Sequence, residues 1–378
     1  MMNRFVFSCT AAGASFLLLC SSASAVDIRH QPLIPNLPAV PGLSISTVPA
    51  ISDMNPYGVA FVPPGFPKGG PLSPGDILVS NFNNSGSTQG TGRTIVRITP
   101  GGEQSLFFQG PIEPPPGLGL TTALAVLRQG FVLVGNLPSP TGMCMDPGHV
   151  GVDQGSLLVL DRFGSQVASF TDPNLLDGPW DMTTLDEGND VQIYVSSVLN
   201  GVVSRFDLTM PNPDHGGPPI LHGGTQIASG YAHHCDPMAL VVGPTGLAFN
   251  FNHSVLYVAS TGDNAIYAID RPADPGVRSG PGRLVYQDDH LRGPLGLALA
   301  PNDDLIAAHG DIGSNADPMQ PSELVEFTQS GQFVGQRSVN SMQGAAFGIA
   351  LSFINNTVRF AAVDDVAVVL DIWTIPAQ

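Results

Sequence analysis

The stretch Gly243-Pro244-Thr245-Gly246-Leu247-Ala248-Phe249 decides the fold, because it recurs along the chain. It returns as Gly293-Pro294-Leu295-Gly296-Leu297-Ala298-Leu299 and, earlier, as Asn55-Pro56-Tyr57-Gly58-Val59-Ala60-Phe61. Weaker copies are Thr122–Val126, Pro179–Met182 and Phe347–Leu351. The positions equivalent to Gly58 are 58, 123, 181, 246, 296 and 348, so successive copies lie 50 to 65 residues apart. This period is typical of propeller blades with loop insertions.

Short apolar runs separated by glycine and proline follow every copy, which predicts several strands per repeat. The second strands are predicted at Ile77–Ser80, Phe131–Val134, Gln192–Val195, Val255–Val258, Asp304–Ala307 and Val358–Ala361. The third strands are predicted at Thr94–Ile98, Ser156–Leu160, Val202–Phe206, Ala265–Ile269, Glu323–Phe327 and Val366–Leu370. Outer strands are predicted in five repeats only, at Ser105–Phe108, Gln166–Phe170, Gln226–Ser229, Arg283–Tyr286 and Gln332–Val334.

The sixth repeat therefore lacks its outer strand, and an unassigned strand-like segment precedes the first repeat. Leu43-Ser44-Ile45-Ser46-Thr47-Val48 alternates between apolar and polar residues, as a half-buried strand does. We predict that residues near 44–50 complete the last blade, which removes exposed sheet edges by joining the chain ends. The expected fold is all-β: a six-bladed β-propeller of four-stranded antiparallel blades, forming a single domain over residues 43–378.

The fourth repeat resembles an NHL repeat. The likeness runs from Pro244-Thr245-Gly246-Leu247-Ala248-Phe249 through Leu256-Tyr257-Val258-Ala259-Ser260-Thr261-Gly262-Asp263-Asn264 to Asp270. The resemblance implies blades around a central channel. Similar proteins include non-catalytic binding scaffolds, peptide-amidating lyases, gluconolactonase-like hydrolases and strictosidine-synthase-like enzymes, so the fold alone does not choose a function. Lactonase-like enzymes place an acidic metal ligand at the start of an inner strand, and these repeats have no glutamate there.

The first 25 residues have the order of a secretory signal peptide: Arg4, an apolar run from Ala11 to Leu19, and Ala23-Ser24-Ala25. Cleavage is predicted after Ala25, which would leave residues 26–42 as an extended N-terminal segment. The predicted location is secreted or periplasmic. No later run reaches the ~18 apolar residues of a membrane helix, so membrane insertion is not expected.

The chain is acidic, with a net charge of −17 over 378 residues. Without residues 1–25 there remain 13 basic and 31 acidic residues. A negative surface repels phosphate backbones and anionic headgroups, so nucleic acid is not an expected partner. Protein, peptide or carbohydrate ligands and cations are compatible with this charge. Acidity is also a common route to solubility. The oligomeric state is not determined by these features, and a monomer is the simpler expectation.

One group of candidate ligands lies where the second strands end, because these ends should surround one mouth of the channel. The residues at these positions are Asn81, Asn136, Ser197, Ser260, His309 and Asp364. Amide, carboxylate and imidazole groups in a ring suit a divalent metal ion or a sugar-like ligand. The alternative is structural, since small polar side chains at strand ends commonly bond to the local backbone.

A second group is Tyr231-Ala232-His233-His234-Cys235-Asp236, in the connection between the third and fourth repeats. His233, His234, Cys235 and Asp236 are ligand types for copper or zinc, although adjacent residues rarely all reach one ion. Cys144 and Cys235 are the cysteines outside the signal peptide, and both are predicted on the mouth face. An exported chain could pair them in a disulfide, and His149 lies near Cys144 in either state.

Three functions follow from these groups. The first is a binding or interaction scaffold, favoured because long loops are present and no catalytic motif is complete. The second is a metal-assisted lyase or lactonase-like hydrolase acting through His309, Asp311, Asp364 and the strand-end asparagines. The third is copper handling by His233, His234 and Cys235. No Gly-x-Ser-x-Gly sequence that would indicate a serine hydrolase is present.

Overall fold

The fold is taken from a computed structural model, which describes residues 29–111, 117–145, 148–211, 217–309, 322–354 and 356–376. The protein is all-β, with a single short 3-10 helix in the described ranges, η1 at Ile34–Asn36. No helix in these ranges is long and apolar enough to cross a membrane. The predicted six blades of four antiparallel strands are confirmed.

The strands lie close to their predicted positions. Strand β1 (Leu43–Ser46) comes first; blade 1 follows with β2 (Met54–Phe61), β3 (Ile77–Asn83), β4 (Thr94–Ile98) and β5 (Gln104–Gln109); blade 2 has β6 (Leu120–Leu127), β7 (Phe131–Asn136), β8 (Ser156–Asp161) and β9 (Gln166–Phe170); blade 3 has β10 (Pro179–Asp186), β11 (Asp190–Ser197), β12 (Val202–Thr209) and β13 (Ile220–Ser229).

A two-stranded hairpin and three further blades complete the order. The hairpin is β14 (His234–Asp236) with β15 (Leu240–Val242); blade 4 has β16 (Pro244–Asn250), β17 (Val255–Ser260), β18 (Ala265–Asp270) and β19 (Arg283–Tyr286); blade 5 has β20 (Pro294–Leu299), β21 (Leu305–His309), β22 (Glu323–Phe327) and β23 (Phe333–Ser338); blade 6 has β24 (Ala346–Ile354), β25 (Thr357–Asp364) and β26 (Val369–Pro376), completed by β1.

The ring closes where β1 pairs with β26, as the sequence predicts. The pairing is antiparallel, with Leu43 opposite Ile372 and Ser46 opposite Val369. One boundary in this blade was wrong: the third strand begins at Val369, not at Val366. The Asp364 carboxylate accepts a hydrogen bond from Ala367 N, and Val368 N bonds to Asp365 O. The apolar residues before Val369 therefore form a turn. They resemble a strand only in their amino-acid composition.

The residues before β1 strengthen this closure, which we call the seam. Leu33 and Ile34 are buried against blades 5 and 6. Their backbone N–H groups donate to the two carboxylate oxygens of buried Glu326, at 2.8 and 2.7 Å. Burial raises the pKa of Glu326 to about 7. Trp373 Nε1 donates to Pro38 O at 3.2 Å, so the segment is attached to both blades beside the seam.

The glycine that recurs at positions 58, 246, 296 and 348, in four of the six repeats, has a steric cause. The inner strands of neighbouring blades contact each other around the whole ring. A Cβ added to Gly58 would lie within 3 Å of Thr122 O, and one added to Gly348 would lie within 3 Å of Tyr57 O. Gly246 and Gly296 are crowded by backbone in the same way. Glycine thus allows the inner strands to approach closely at the hub.

The hub is apolar. In blade 1 the middle-strand residues Ile77, Leu78 and Val79 have no exposed surface, whereas Val59 and Ala60 of the inner strand each keep 8%. Similar small exposures recur in the other inner strands. The inner strands are therefore slightly more exposed than the middle strands, as expected next to an axial channel.

Candidate functional site

The six predicted mouth residues occupy equivalent positions in the six blades. Five of them end the second strand of their blade, and Asn81 lies two residues before the end of β3. Each stands opposite the first residue of the third strand, as in Asn81 with Thr94, or His309 with Glu323. Five are also opposite the residue that begins the inner strand, such as Pro294, whereas Asn81 is opposite Pro56, two residues into β2. The repeat alignment therefore placed these positions correctly relative to one another.

The side chains of these residues mainly form hydrogen bonds to nearby backbone and side-chain groups of the protein. Asn136 Oδ1 accepts from Gly119 N at 2.8 Å, and its Nδ2 donates to Ser156. Ser197 donates to Leu175 O, and Ser260 donates to Asp263 at 2.6 Å. Asp364 accepts from Asn340. These contacts match the structural alternative for polar residues at strand ends.

Asn81 serves the seam. Its Nδ2 group donates to Thr47 O at 3.1 Å, just after β1, and to Thr94 Oγ1 at 3.2 Å. Thr94 in turn donates to Asp53 at 3.0 Å. The buried Asn81 thus links the N-terminal strand to blade 1, which gives it a structural task at the mouth.

His309 is fully buried and has a neighbour that the sequence did not single out. Its Nδ1 lies 3.0 Å from Arg292 O, and its Nε2 lies 3.6 Å from Glu323 Oε2. Neither Nε2 nor Oε2 makes a hydrogen bond within the described ranges. Glu323 could have been found as the third-strand residue in register with His309. His309 is therefore a predicted mouth residue whose imidazole lies next to a carboxylate, that of Glu323.

Whether His309, Asp311 and Asp364 gather at the mouth stays a prediction. Asp311 lies outside the described residues. Within the described ranges, the group of three metal-ligating side chains whose donor atoms converge is Cys144, His149 and Cys235. His309 and Asp364 belong to different blades and have separate partners, Glu323 and Asn340.

The hub below the mouth is filled by aromatic rings. Tyr57 stacks on Phe347 with centroids 4.5 Å apart, and it meets Trp180 edge-on at 5.6 Å. Phe82 contacts both Tyr57 and Trp180. Tyr57, Trp180 and Phe347 each directly precede the position equivalent to Gly58. The repeat therefore places the three rings at equivalent positions of the inner strands. These rings contribute apolar burial and favourable tilted geometry at the hub.

Asp181 is an ionisable hub residue that sequence reasoning missed. Its carboxylate accepts from Leu247 N of blade 4 at 2.9 Å and from Met182 N at 2.8 Å. Desolvation raises its pKa to about 8, despite these hydrogen bonds. The available signal was positional: Asp181 stands where four other repeats have glycine. Burial and the nearby charge of Asp364 similarly raise the pKa of Asp365 to about 7.

The β14–β15 hairpin was not predicted, and it covers part of the hub. Leu240 and Val241 are buried in the same apolar cluster as Tyr57 and Trp180. The turn of the hairpin also meets the glycine-rich loop of blade 1, since Gln89 Nε2 donates to Met238 O at 2.9 Å. The hairpin and this loop together form a cover over one side of the mouth.

A disulfide joins the hairpin to blade 2. Cys144 and Cys235 are bonded across a sequence separation of 91 residues, with their Cα atoms 5.3 Å apart. We call the disulfide with its two loop segments the clamp. It tethers Cys235 of β14 to the loop between β7 and β8. The two long connections expected on the mouth face therefore meet there.

The four adjacent ligand types in the hairpin segment do not converge on one point. His233 Nδ1 faces Tyr231 O at 2.9 Å. Asp236 accepts from Met238 N and Ala239 N, while exposed His234 lies 3.9 Å from it. Cys235 points to Cys144 instead. Successive residues of a strand project to opposite sides, which separates Cys235 from His234 and Asp236.

The opposite face carries a groove of about 530 Å³ across the turns of blades 1 to 3. Its lining includes Pro67, Phe131, Arg162, Phe163, Val167 and Pro218. Phe163 is 52% exposed, and the Arg162 guanidinium lies 5.0 Å from the centre of its ring. No mouth residue takes part in this groove. It was not predicted, because it depends on turns of three different repeats.

Comparison with protein-family models finds no match, and comparison with curated proteins finds none either. Solved structures do match. Regucalcin from Agrobacterium tumefaciens strain C58, described as a calcium-binding protein, is 12% identical, with 88% of this chain and 95% of that chain covered at a TM-score of 0.50. A gluconolactonase from Xanthomonas campestris is 14% identical, with coverages of 90% and 97% and a TM-score of 0.49.

These similarities concern architecture. The class that the fold defines is a six-bladed β-propeller, and the similarity to the regucalcin structure concerns the fold alone. At such low identity, chemistry is not transferred with the fold. The NHL resemblance of the fourth repeat stays a sequence-based expectation.

Proposed function

We propose that this chain is an exported binding protein whose ligand lies in the groove across blades 1 to 3, and that the ligand is an acidic oligosaccharide. The observation that carries the proposal is the combination of size and lining. Ligand sites are typically concavities of ~300–1,000 Å³, mostly apolar, with a few polar groups that fix orientation. The groove has a volume of about 530 Å³ and has this composition.

The side chains suit the two sides of a sugar ring. An exposed aromatic ring such as Phe163 can cover the apolar C–H face of a pyranose, and Phe131 and Pro67 extend that surface. Arg162 and Asn189 at the same groove can donate hydrogen bonds to carboxylate and hydroxyl groups. Arg162 is suited to a uronic acid because its planar guanidinium can grip a carboxylate with two parallel bonds.

Charge favours the same ligand. The protein as a whole carries a net charge of −17, so an anionic ligand needs a local positive surface. Arg162 lies in the groove, and Lys68, the only lysine of the chain, follows the lining residue Pro67. A Cβ on Gly130 would contact both Pro67 and Arg162, so the two walls are close together. The acidic lining residue is Asp161, whose carboxylate already accepts hydrogen bonds from Phe163 N and Ser165 N.

Calorimetric titration with oligogalacturonate, and with a neutral oligosaccharide of equal length, tests the proposal. We expect binding of the acidic sugar that weakens as salt rises. Phe163→Ala should weaken it at least tenfold, because the stacking surface is lost. Phe251→Ala is the matched control, since Phe251 is 60% exposed on another blade. Equal affinities of the two variants for the acidic sugar would refute the acidic-sugar proposal. So would a neutral sugar, or a proline-rich peptide titrated in the same way, that binds more tightly than the acidic sugar.

A second candidate function is metal-assisted, lactonase-like hydrolysis at the mouth. The His309–Glu323 pair favours it, because Nε2 and Oε2 are buried 3.6 Å apart without hydrogen bonds in the described ranges. Such atoms could hold a divalent ion that activates water. Metal analysis of the purified protein, with lactone hydrolysis assayed before and after chelation, tests it. The expected result is one metal ion bound per chain and a lactone hydrolysis activity that is lost in both His309→Ala and Glu323→Gln. A purified protein that holds no metal and does not hydrolyse lactones would argue against this function.

A further inference from the structure

The clamp contains more than a disulfide. The donor atoms of Cys144, His149 and Cys235 all lie within 4.8 Å of one another, and all three residues are half-buried. Within the described ranges this is the one convergence of three such side chains. Two segments supply it, the β7–β8 loop and β14. The site therefore exists only in the folded protein.

His149 is oriented as a metal ligand would be. Its Nε2 lies 3.6 Å from Asp177 Oδ2. Ligating histidines commonly direct their second ring nitrogen to a carboxylate, which fixes the ring and raises the basicity of the ligating nitrogen. Because Nε2 is turned to Asp177, the ligating role beside the two sulfur atoms is assigned to Nδ1.

The surroundings are rich in thioethers. Met143 and Met145 flank Cys144 and are 52% and 50% exposed. Met238, three residues after Cys235, is 55% exposed. All three methionine side chains are therefore largely open to solvent. Thiolate and thioether sulfur are soft donors, which suit soft metal ions such as Cu(I).

We propose that reduction of the Cys144–Cys235 disulfide converts the clamp into a Cu(I) site formed by the two thiolates and His149 Nδ1. A dithiol reductant supplies two electrons and two protons: its own two sulfurs become a disulfide, and Cys144 and Cys235 become thiols. Cu(I) then displaces the two thiol protons and forms two Cu–S bonds and one Cu–N bond. The copper remains Cu(I) throughout.

The geometry requires only a small movement. Two thiolates that share an ion with bonds of ~2.3 Å stand roughly 4 Å apart. The Cα atoms are now 5.3 Å apart, and the hairpin remains packed through Leu240 and Val241. The metal would therefore link the same two segments as the disulfide does. The clamp stays closed in either state, and opens only when the reduced form holds no metal.

The test is a Cu(I) titration of the full chain, reduced with a phosphine and desalted without oxygen, against a colorimetric Cu(I) chelator. We expect one tight equivalent in the reduced protein and at least 100-fold weaker binding in the oxidised protein. His149→Ala should weaken binding about 10–100-fold. His253→Ala, at an exposed histidine of blade 4, should leave it unchanged.

Equal Cu(I) uptake by oxidised and reduced protein would overturn the proposal, and so would full uptake by His149→Ala. Cys144→Ser/Cys235→Ser should bind no tight equivalent. Should that variant misfold, thiol alkylation of the folded, reduced wild type replaces it, with circular dichroism as the check on folding. Alkylated protein that still binds one tight equivalent would show that the thioethers alone hold the ion, and would refute the assignment.

Discussion

The seam and the clamp both join distant parts of the chain, but they use different chemistry. At the seam, β1 pairs with β26 through regular backbone hydrogen bonds, and Glu326 and Asn81 hold the flanking residues. At the clamp, two irregular connections meet, and a covalent bond between Cys144 and Cys235 holds them. Regular strands carry their own pairing groups, whereas loops need side-chain chemistry to be fixed in place.

This difference predicts different consequences of damage. The seam is part of the ring, so its loss exposes the edge of β26 in blade 6. The clamp lies on top of a ring that is already closed, and its hairpin is retained by apolar contacts at the hub. We therefore expect seam variants to lose the fold and clamp variants to lose only part of the stability.

The largest effect is expected from Gly348→Ala. An added Cβ would lie within 3 Å of Tyr57 O, and the inner strands β24 and β2, on the hub side of blade 6, cannot move aside without separating blades 6 and 1. The variant should be insoluble or lose more than about 3 kcal/mol of unfolding free energy. Urea denaturation measures this. Gly101→Ala is the control, because a Cβ there meets nothing closer than 3.8 Å; equal stabilities would contradict the steric account of the repeat.

A smaller effect is expected from Cys144→Ser/Cys235→Ser. The bond closes a loop of 91 residues, and removal of such a crosslink typically costs about 2–4 kcal/mol. Far-ultraviolet circular dichroism should be unchanged, and proteolysis should become faster at the 234–242 hairpin. Reduced wild-type protein without metal should behave like the double variant. Complete unfolding of either would show that the clamp, too, is needed for ring closure.

The smallest effect is a pH dependence that originates largely beside the seam. Burial raises the pKa of Glu326 to about 7, whereas the unfolded chain loses this proton near pH 4.5. The folded protein thus binds more protons than the unfolded one between these values, and stability falls as pH rises through them. Asp365 at about 7 and Asp181 at about 8 act in the same direction.

We expect the melting temperature to drop by roughly 5 °C between pH 5 and pH 8. Glu326→Gln, which stays neutral, should show a visibly smaller drop. Differential scanning calorimetry across this range measures both proteins. A melting temperature that rises with pH in the wild type would contradict the sign, and an equal drop in the variant would assign the effect to Asp365 and Asp181.

The seam was predictable and much of the clamp was not, for physical reasons. A half-buried strand can be recognised by the alternation of apolar and polar residues, so Leu43–Ser46 could be matched to the strand missing from the sixth repeat. The equivalence of the six mouth positions followed from the same periodicity. The convergence of His149 with the two cysteines depends on loop conformation, which no period encodes. Glu323 and Asp181 were overlooked because their roles arise from neighbours in register or in the next blade.

The turn before β26 shows the opposite failure. Val366, Ala367 and Val368 have strand composition, but the Asp364 carboxylate bonds to Ala367 N and bends the chain. Apolar character alone does not distinguish a turn tip from a strand start. The β14–β15 hairpin was missed for a related reason, since His234–Asp236 has no apolar alternation. Short elements fixed by tertiary contacts leave weak traces in sequence.

The pairing of β1 with β26 also sets the order of events during maturation. Thr47 N bonds to Val368 O, so groups 321 residues apart must meet before the wheel is complete. Contacts at such separation form late and slowly, because the entropy of the intervening chain is lost before they contribute. In a newly synthesised molecule the sixth blade therefore stays incomplete until β1 has paired. During that interval the unpaired edge of β26 can bind a second copy of the chain or a chaperone.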